Sequence, residues 1–206
     1  ILSTDVEGTL LPRLDTVLQQ AVGEVTAPSV PRWQGRYHTL SGHSELRLAL
    51  APFVIQQNGR ELAVRGGRLR LEGVFGDWRL RALLDQLTLT DGAAQLTLGP
   101  SVLESRYTYT EGAYHFAQRD HLNIETLTLS YPSYDIQLAP LDLNSHMVLD
   151  ESELRIKGDL EVGDVMVPSE APETPLLTGR IEMELSRINA DAVRHAIRRF
   201  RQEAAW

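Results

Sequence analysis

Cysteine is absent from the 206 residues, so no part of this chain depends on a disulfide, a thiolate metal ligand or a redox state. Lysine is nearly absent too: of the 20 basic residues only Lys157 is not arginine, and no arginine cluster has the pattern of a base-reading element. With a formal net charge of -8 the chain lacks the basic excess that displaces counterions, which argues against nucleic acid as a partner. No stretch approaches the ~18 consecutive apolar residues of a spanning helix. The N-terminus also lacks the basic and apolar regions of a signal peptide. The chain opens on Ile1 rather than methionine, which is compatible with an anchor upstream of it.

Motifs of common chemistries are missing as well. There is no G-x-S-x-G elbow, no glycine-rich phosphate loop and no H-E-x-x-H helix. Six histidines are scattered. His38 and His43 lie five apart, and His115 and His121 flank Asp120. Neither pair has the spacing or third ligand of a zinc site, so no metal and no cofactor is expected. Carboxylates are plentiful, and Asp85 and Glu125 occupy equivalent places in a repeat. A glycosidase needs two carboxylates facing across a cleft, but charges on a sheet's solvent face, which also discourage edge aggregation, account for them more simply.

What the sequence does contain is alternation. LTLTDGAAQLTLGP, residues 87 to 100, returns as LTLSYPSYDIQLAP, residues 127 to 140, and LALAP at 48 to 52 is a shorter echo. Leucines alternate with polar residues at period two around Asp91-Gly92, the pattern of a β-hairpin. A loop at Asp91-Gly92 pairs Leu89 with Ala94 and Leu87 with Leu96. In the second copy a turn at Pro132-Ser133 pairs Leu129 with Ile136 and Leu127 with Leu138, a shift of two that keeps the apolar face. Leu62 and Val64, then Gly66-Gly67, then Leu69 and Leu71 suggest a further hairpin.

The alternation runs on through Leu141, Leu143, Met147 and Leu149, then Leu154, Ile156, Leu160 and Val162, then Ile181, Met183 and Leu185. Between Val162 and Val165 the parity flips at Gly163-Asp164, as at a bulge or turn. About twelve strands joined by short loops are expected. The fold class is therefore mainly β: a long antiparallel meander of hairpins forming a curved sheet, a sandwich or an open barrel.

Helical spacing appears at the ends. Leu11, Leu14, Leu18 and Ala21 follow Pro12, with Gly23 as a stop, and residues 24 to 36 read as a connector. Asn189 is a good N-cap for a stripe of Val193, Ala196, Ile197, Phe200 and Ala204. The segments are thus 1 to 36, an N-terminal helix and connector; 37 to 188, the β domain with hairpin repeats at 84 to 100 and 124 to 140; and 189 to 206, the C-terminal helix. PSEAPETP, residues 168 to 175, is expected to be an exposed extended loop.

Two groups of residues are candidate contact sites. In RYTYTEGAYHF, residues 106 to 116, a turn at Glu111-Gly112 places Tyr107, Tyr109, Tyr114 and Phe116 on one hairpin face. They are either packing partners or an aromatic lining for a lipid or sugar. On the C-terminal helix Arg194, Arg198 and Arg201 fall on one stripe with Arg199 beside them. They are either the wet side of a packed helix or a contact for an inner-membrane surface or a partner protein.

The succession LRIKGDLEVGDVMV, TGRIEMELSRI and NADAVRHAIRRF resembles the YdgA-like family of uncharacterised bacterial envelope proteins. Ile188-Asn189-Ala190-Asp191-Ala192-Val193 fits that family's strand-to-helix segment, with Asn where Asp is more usual. The resemblance covers roughly residues 60 to 203. It implies a Gram-negative periplasmic protein held by an N-terminal membrane helix, and it brings no catalytic residues. The expected function is non-enzymatic, binding an apolar ligand such as lipid or serving as a scaffold for an envelope partner. The alternative is a carbohydrate-binding or carbohydrate-active β-sandwich using surface carboxylates.

Overall fold

In a computed structural model of the chain, residues 3–9, 24–26, 32–110, 115–168 and 175–203 are described. They form one 14-stranded antiparallel sheet followed by one helix. The strands are β1 (Ser3–Thr9), β2 (Glu24–Thr26), β3 (Arg32–His38), β4 (His43–Leu50), β5 (Phe53–Gln57), β6 (Arg60–Val74) and β7 (Asp77–Asp91). There follow β8 (Ala94–Leu98), β9 (Ser101–Thr110), β10 (His115–Ile124), β11 (Leu127–Tyr131), β12 (Tyr134–Leu149), β13 (Glu153–Met166) and β14 (Leu177–Asn189), then helix α1 (Ala190–Glu203).

Short strands lie end to end along their long neighbours. β4 and β5 both pair with β6, β9 and β8 with β7, and β10 and β11 with β12. Because β8 also pairs with β11 and β9 with β10, the pairing closes into a ring of β7, β8, β11, β12, β10 and β9. The ring is a product of interrupted strands within one sheet, since β7 and β12 continue outward to β6 and β13.

The interruptions line up. Leu50 pairs with Gly67, Gly67 with Leu84, Leu84 with Ser101, Ser101 with Ile124, Ile124 with Leu141 and Leu141 with Val162. Three residues further along each strand a second line runs from Phe53 through Val64, Leu87, Leu98, Leu127 and Leu138 to Val165. Between these lines every row carries two residues that break the alternation: Ala51-Pro52, Arg65-Gly66, Asp85-Gln86, Gly99-Pro100, Glu125-Thr126, Ala139-Pro140 and Gly163-Asp164. The three Leu-(Ala/Gly)-Pro endings of the sequence repeat therefore all stand on one transverse crease.

Proline suits that line because it has no N–H to give to a ladder. Glycine suits it because backbones approach closely there. A methyl group on Gly67 would stand 2.5 Å from the Leu83 carbonyl oxygen, and one on Gly163 would meet the Pro140 ring at 2.6 Å. Val64, Gly66, Gly67, Gly99 and Ser101, all on or beside the crease, are among the few buried residues of the sheet.

The second repeat has the expected register, with Leu129 opposite Ile136 and Leu127 opposite Leu138. The first does not. Asp91 pairs with Ala94, so the turn is Gly92-Ala93 and Leu89 meets Leu96 while Leu87 meets Leu98. Only Gly92 takes a positive φ there, 60°, and Asp91 stays in the strand. The two copies thereby share one register, and they pair with each other through Leu96 with Leu129 and Leu98 with Leu127.

Gly66-Gly67 is not a turn. It lies inside β6 at the crease, and the hairpin closes at Asn58-Gly59, whose φ values of 53° and 80° are those of a type I′ turn. The segment 1 to 36, read as helix and connector, contains β1, β2 and most of β3. The helix expected around Leu11 to Ala21 and most of the acidic proline loop lie outside the described residues.

The C-terminal helix forms as expected. The Asn189 side-chain oxygen accepts a hydrogen bond from the Ala192 N–H at 3.0 Å, and Ala190 is buried against Leu149 and Leu154.

Gly67→Val, which pushes a branched side chain against the β7 backbone, is expected to cost about 1–3 kcal/mol in urea unfolding. Gly179→Ala, where no atom stands within 4 Å of the added methyl group, is expected to leave stability within about 0.5 kcal/mol.

Candidate functional site

The two faces of the sheet differ in chemistry. On one, a rank of apolar side chains crosses the molecule: Trp33, Leu48, Leu69, Ala82, Leu103, Leu122, Leu143, Leu160 and Ile181 are successive cross-strand partners. No second layer covers it among the described residues. The buried hydrophobic side chains there are Val64, Leu149, Leu154 and Ala190, and most of the leucines are only half-buried. Along β14, Leu177, Ile181, Met183 and Leu185 are 50–62% exposed.

The opposite face is charged. Glu45 accepts from Arg47 Nε at 2.7 Å and lies 2.8 Å from Arg70 Nε, and Arg70 also reaches Glu72 at 2.8 Å. The Arg47 hydrogen bond holds the Glu45 carboxyl below its usual range. Arg106 donates two bonds to Asp77 at 3.0 and 2.8 Å, with the same effect on Asp77. A cleft of about 1020 Å3 runs along this face, and its lining includes Arg79, Glu104, Arg119, His146, Lys157 and Glu182.

Asp142 accepts from Asn123 Nδ2 at 3.1 Å and lies 3.0 Å from His121 Nε2; the Asn123 bond first, then His121, lowers its pKa. Asp5, Glu45, Asp77, Asp142 and Asp150 are all shifted downward. Asp85 and Glu125 sit in separate rows of the crease, with the row of Gly99-Pro100 between them. His38 and His43 pair across a hairpin end with ring centroids 6.0 Å apart, and no group of three or more metal-ligating side chains gathers among the described residues.

The aromatic hairpin is shifted by two from the expected register. Thr110 pairs with His115, so Tyr109 faces Phe116 and Tyr107 faces Gln118. A shift of two is even, so it keeps the rings on one face. Tyr107 and Phe116 stack at a centroid distance of 6.0 Å, and Phe116 packs against the cluster of Leu149, Leu154 and Ala190 beneath α1. Tyr114 lies outside the described residues.

Arg194 is not on the wet side of its helix. Its guanidinium donates to the Asp150 carbonyl at 2.5 Å, the Glu151 carbonyl at 3.3 Å and Asp191 Oδ1 at 3.1 Å, and its side chain is 14% exposed. It ties α1 to the turn between β12 and β13, where the open carbonyls offer acceptors that solvent would otherwise fill. Arg199 is exposed, while the side chains of Arg198 and Arg201 lie outside the described residues.

Asp150 organises the same turn. Its carboxylate accepts from the Glu153 N–H at 3.0 Å and from the Ser152 N–H and hydroxyl, both at 2.9 Å, and Arg155 reaches it at 2.9 Å. Those backbone donors, Glu153 first, hold its pKa far below the usual carboxylate range.

A carboxyl depressed on folding stabilises above its unfolded pKa, and the contribution disappears as pH falls through the folded value. Asp150→Asn is accordingly expected to lower the Tm at pH 7 and to reduce the loss of stability seen on acidification below pH ~4. Thermal melts from pH 7 to pH 2 would show both. Phe116→Ala is expected to cost about 2–3 kcal/mol in urea unfolding, less than a fully buried phenylalanine would.

Comparison with family models, with curated proteins and with solved structures returns no match for this chain.

Proposed function

We propose that this is a non-enzymatic domain that holds an elongated apolar ligand, such as a lipid acyl chain, along the leucine-lined face of its sheet. The observation that carries the reading is the rank from Trp33 to Ile181, one apolar side chain per strand with no covering layer among the described residues. Each Å2 of such surface withdrawn from water is worth roughly 25 cal/mol. A contiguous field of this extent is larger than the scattered apolar exposure of an ordinary surface. A narrow acyl chain would cover it at little cost to the backbone hydrogen bonds beneath. The periplasmic face of a Gram-negative envelope, implied by the family resemblance, is the compartment where such a ligand is plentiful. The aromatic corner of Tyr107, Tyr109 and Phe116 would close one end of the field.

A second reading, a protein-interaction scaffold, is favoured by a different observation. Among the described residues β14 pairs only with β13, and its apolar side chains are the most exposed row of the sheet. An added strand from a partner would satisfy that edge and cover Ile181 and Met183 at once.

Native mass spectrometry of the chain exported to a bacterial periplasm is expected to show a stoichiometric adduct that extracts into organic solvent as phospholipid. Leu143→Gln, at a position already 39% exposed, is expected to keep the fold and lose most of the adduct. A clean apo mass that persists after incubation with phospholipid would remove the lipid reading and leave the scaffold.

A further inference from the structure

The charged face carries a feature that ion pairing does not explain. Glu72 pairs with Arg79, Arg79 with Arg106, Arg106 with Arg119, Arg119 with His146, His146 with Lys157, and Lys157 with Glu184. Five basic side chains thus stand abreast on adjacent rows, in a chain whose net charge is -8. Like charges directly opposite each other across strands are destabilising. Two of the five are compensated, Arg106 by Asp77 at 2.8 Å and Lys157 by Glu184 at 3.3 Å. Arg79, Arg119 and His146 have no carboxylate within ion-pairing distance among the described residues, although Asp and Glu outnumber Lys and Arg in the sequence, 28 to 20.

All five line the cleft of about 1020 Å3, whose size is that of a small-molecule site. The ladder spans four interstrand gaps, roughly 19 Å at ~4.8 Å each. Glu72 and Glu184 close its two ends, so a polyanion much longer than the ladder meets carboxylates at both.

We propose that this ladder of Arg79, Arg106, Arg119, His146 and Lys157 is a binding site for a small, soluble compound carrying several phosphate groups. Arginine forks supply bidentate donors to phosphate oxygens, and Lys157 adds a point charge. The ligand replaces like-charge repulsion between rows with attraction to a shared anion. The bounded length selects against nucleic acid and against extended polyanions. This site lies on the face opposite the leucine rank and does not depend on the apolar-ligand reading.

Titration calorimetry of the whole chain at low salt tests it, with sodium tripolyphosphate as the probe and orthophosphate as the comparison. Tripolyphosphate is expected to bind at one site more tightly than orthophosphate, and its affinity to fall steeply with added salt. Arg79→Gln with Arg119→Gln is expected to weaken tripolyphosphate roughly tenfold or more while raising the low-salt Tm of the unliganded protein, because repulsion is relieved. Arg119→Gln alone guards against misfolding of the double variant and is expected to weaken binding in the same direction. Arg32→Gln with Arg68→Gln removes the same charge off the ladder and is expected to change affinity little. The proposal is overturned if tripolyphosphate binds no better than orthophosphate, if the ladder variants bind it unchanged, or if the off-ladder control loses as much affinity.

Discussion

Leu122 stands opposite Leu103 on one strand and Leu143 on the next, and that apolar match is repeated from row to row across the sheet. With one face solvated by charges, each strand has a single permitted register, because a slip of one residue would send leucines to the charged side and arginines to the apolar side. The crease is a consequence. A parity change in one row alone would mismatch it with both neighbours. When Leu50 to Phe53, Leu84 to Leu87, Ser101 to Leu98 and Leu141 to Leu138 all shift by three at the same height, like still meets like on both sides. The Ala-Pro and Gly-Pro pairs are therefore a condition on the whole sheet and not local turns.

That condition explains how much of the fold could be read from the sequence. Period-two alternation announces the meander and the Pro132-Ser133 turn, and an Asn189 cap before a helical stripe announces the final helix, because each of these is encoded within a few residues. Gly66-Gly67 suggests a turn because glycines at a close backbone approach and glycines at a turn look alike in one dimension. The difference lies in the partner: the Leu83 carbonyl, sixteen positions away, is what excludes a side chain at Gly67. Asn58-Gly59, a strong local turn signal, closes that hairpin instead. In the aromatic hairpin the face is legible and the register is not, since an even shift moves partners without moving faces.

The candidate sites were less legible still. Arg194 looks like part of a basic stripe by helical spacing, but its partners include main-chain carbonyls of the turn before β13, more than forty residues away. The ladder of Arg79, Arg106, Arg119, His146 and Lys157 has no sequence signature at all. Its members are spaced 27, 13, 27 and 11 residues apart in the chain and become neighbours only once four separate registers are known.

The two faces also differ in how they can be tuned. The apolar rank is tied to the fold, because its cross-strand pairs set the registers, so its leucines are not free to change chemistry. The charged face is under no such constraint: any hydrophilic side chain would keep the registers as well as arginine does. In the neighbouring rank Arg47, Arg70 and Arg81 also stand abreast, but each is answered by a carboxylate, Arg47 and Arg70 by Glu45 and Arg81 by Glu104. A rank that instead sets three arginines, a histidine and a lysine abreast, with Arg79 and Arg119 answered by no carboxylate within ion-pairing distance among the described residues, gives up attraction that the same composition could have supplied. Folding alone does not account for that arrangement, whereas an anion laid across the rows does, since one multiply charged ligand contacts several cations without asking any strand to move.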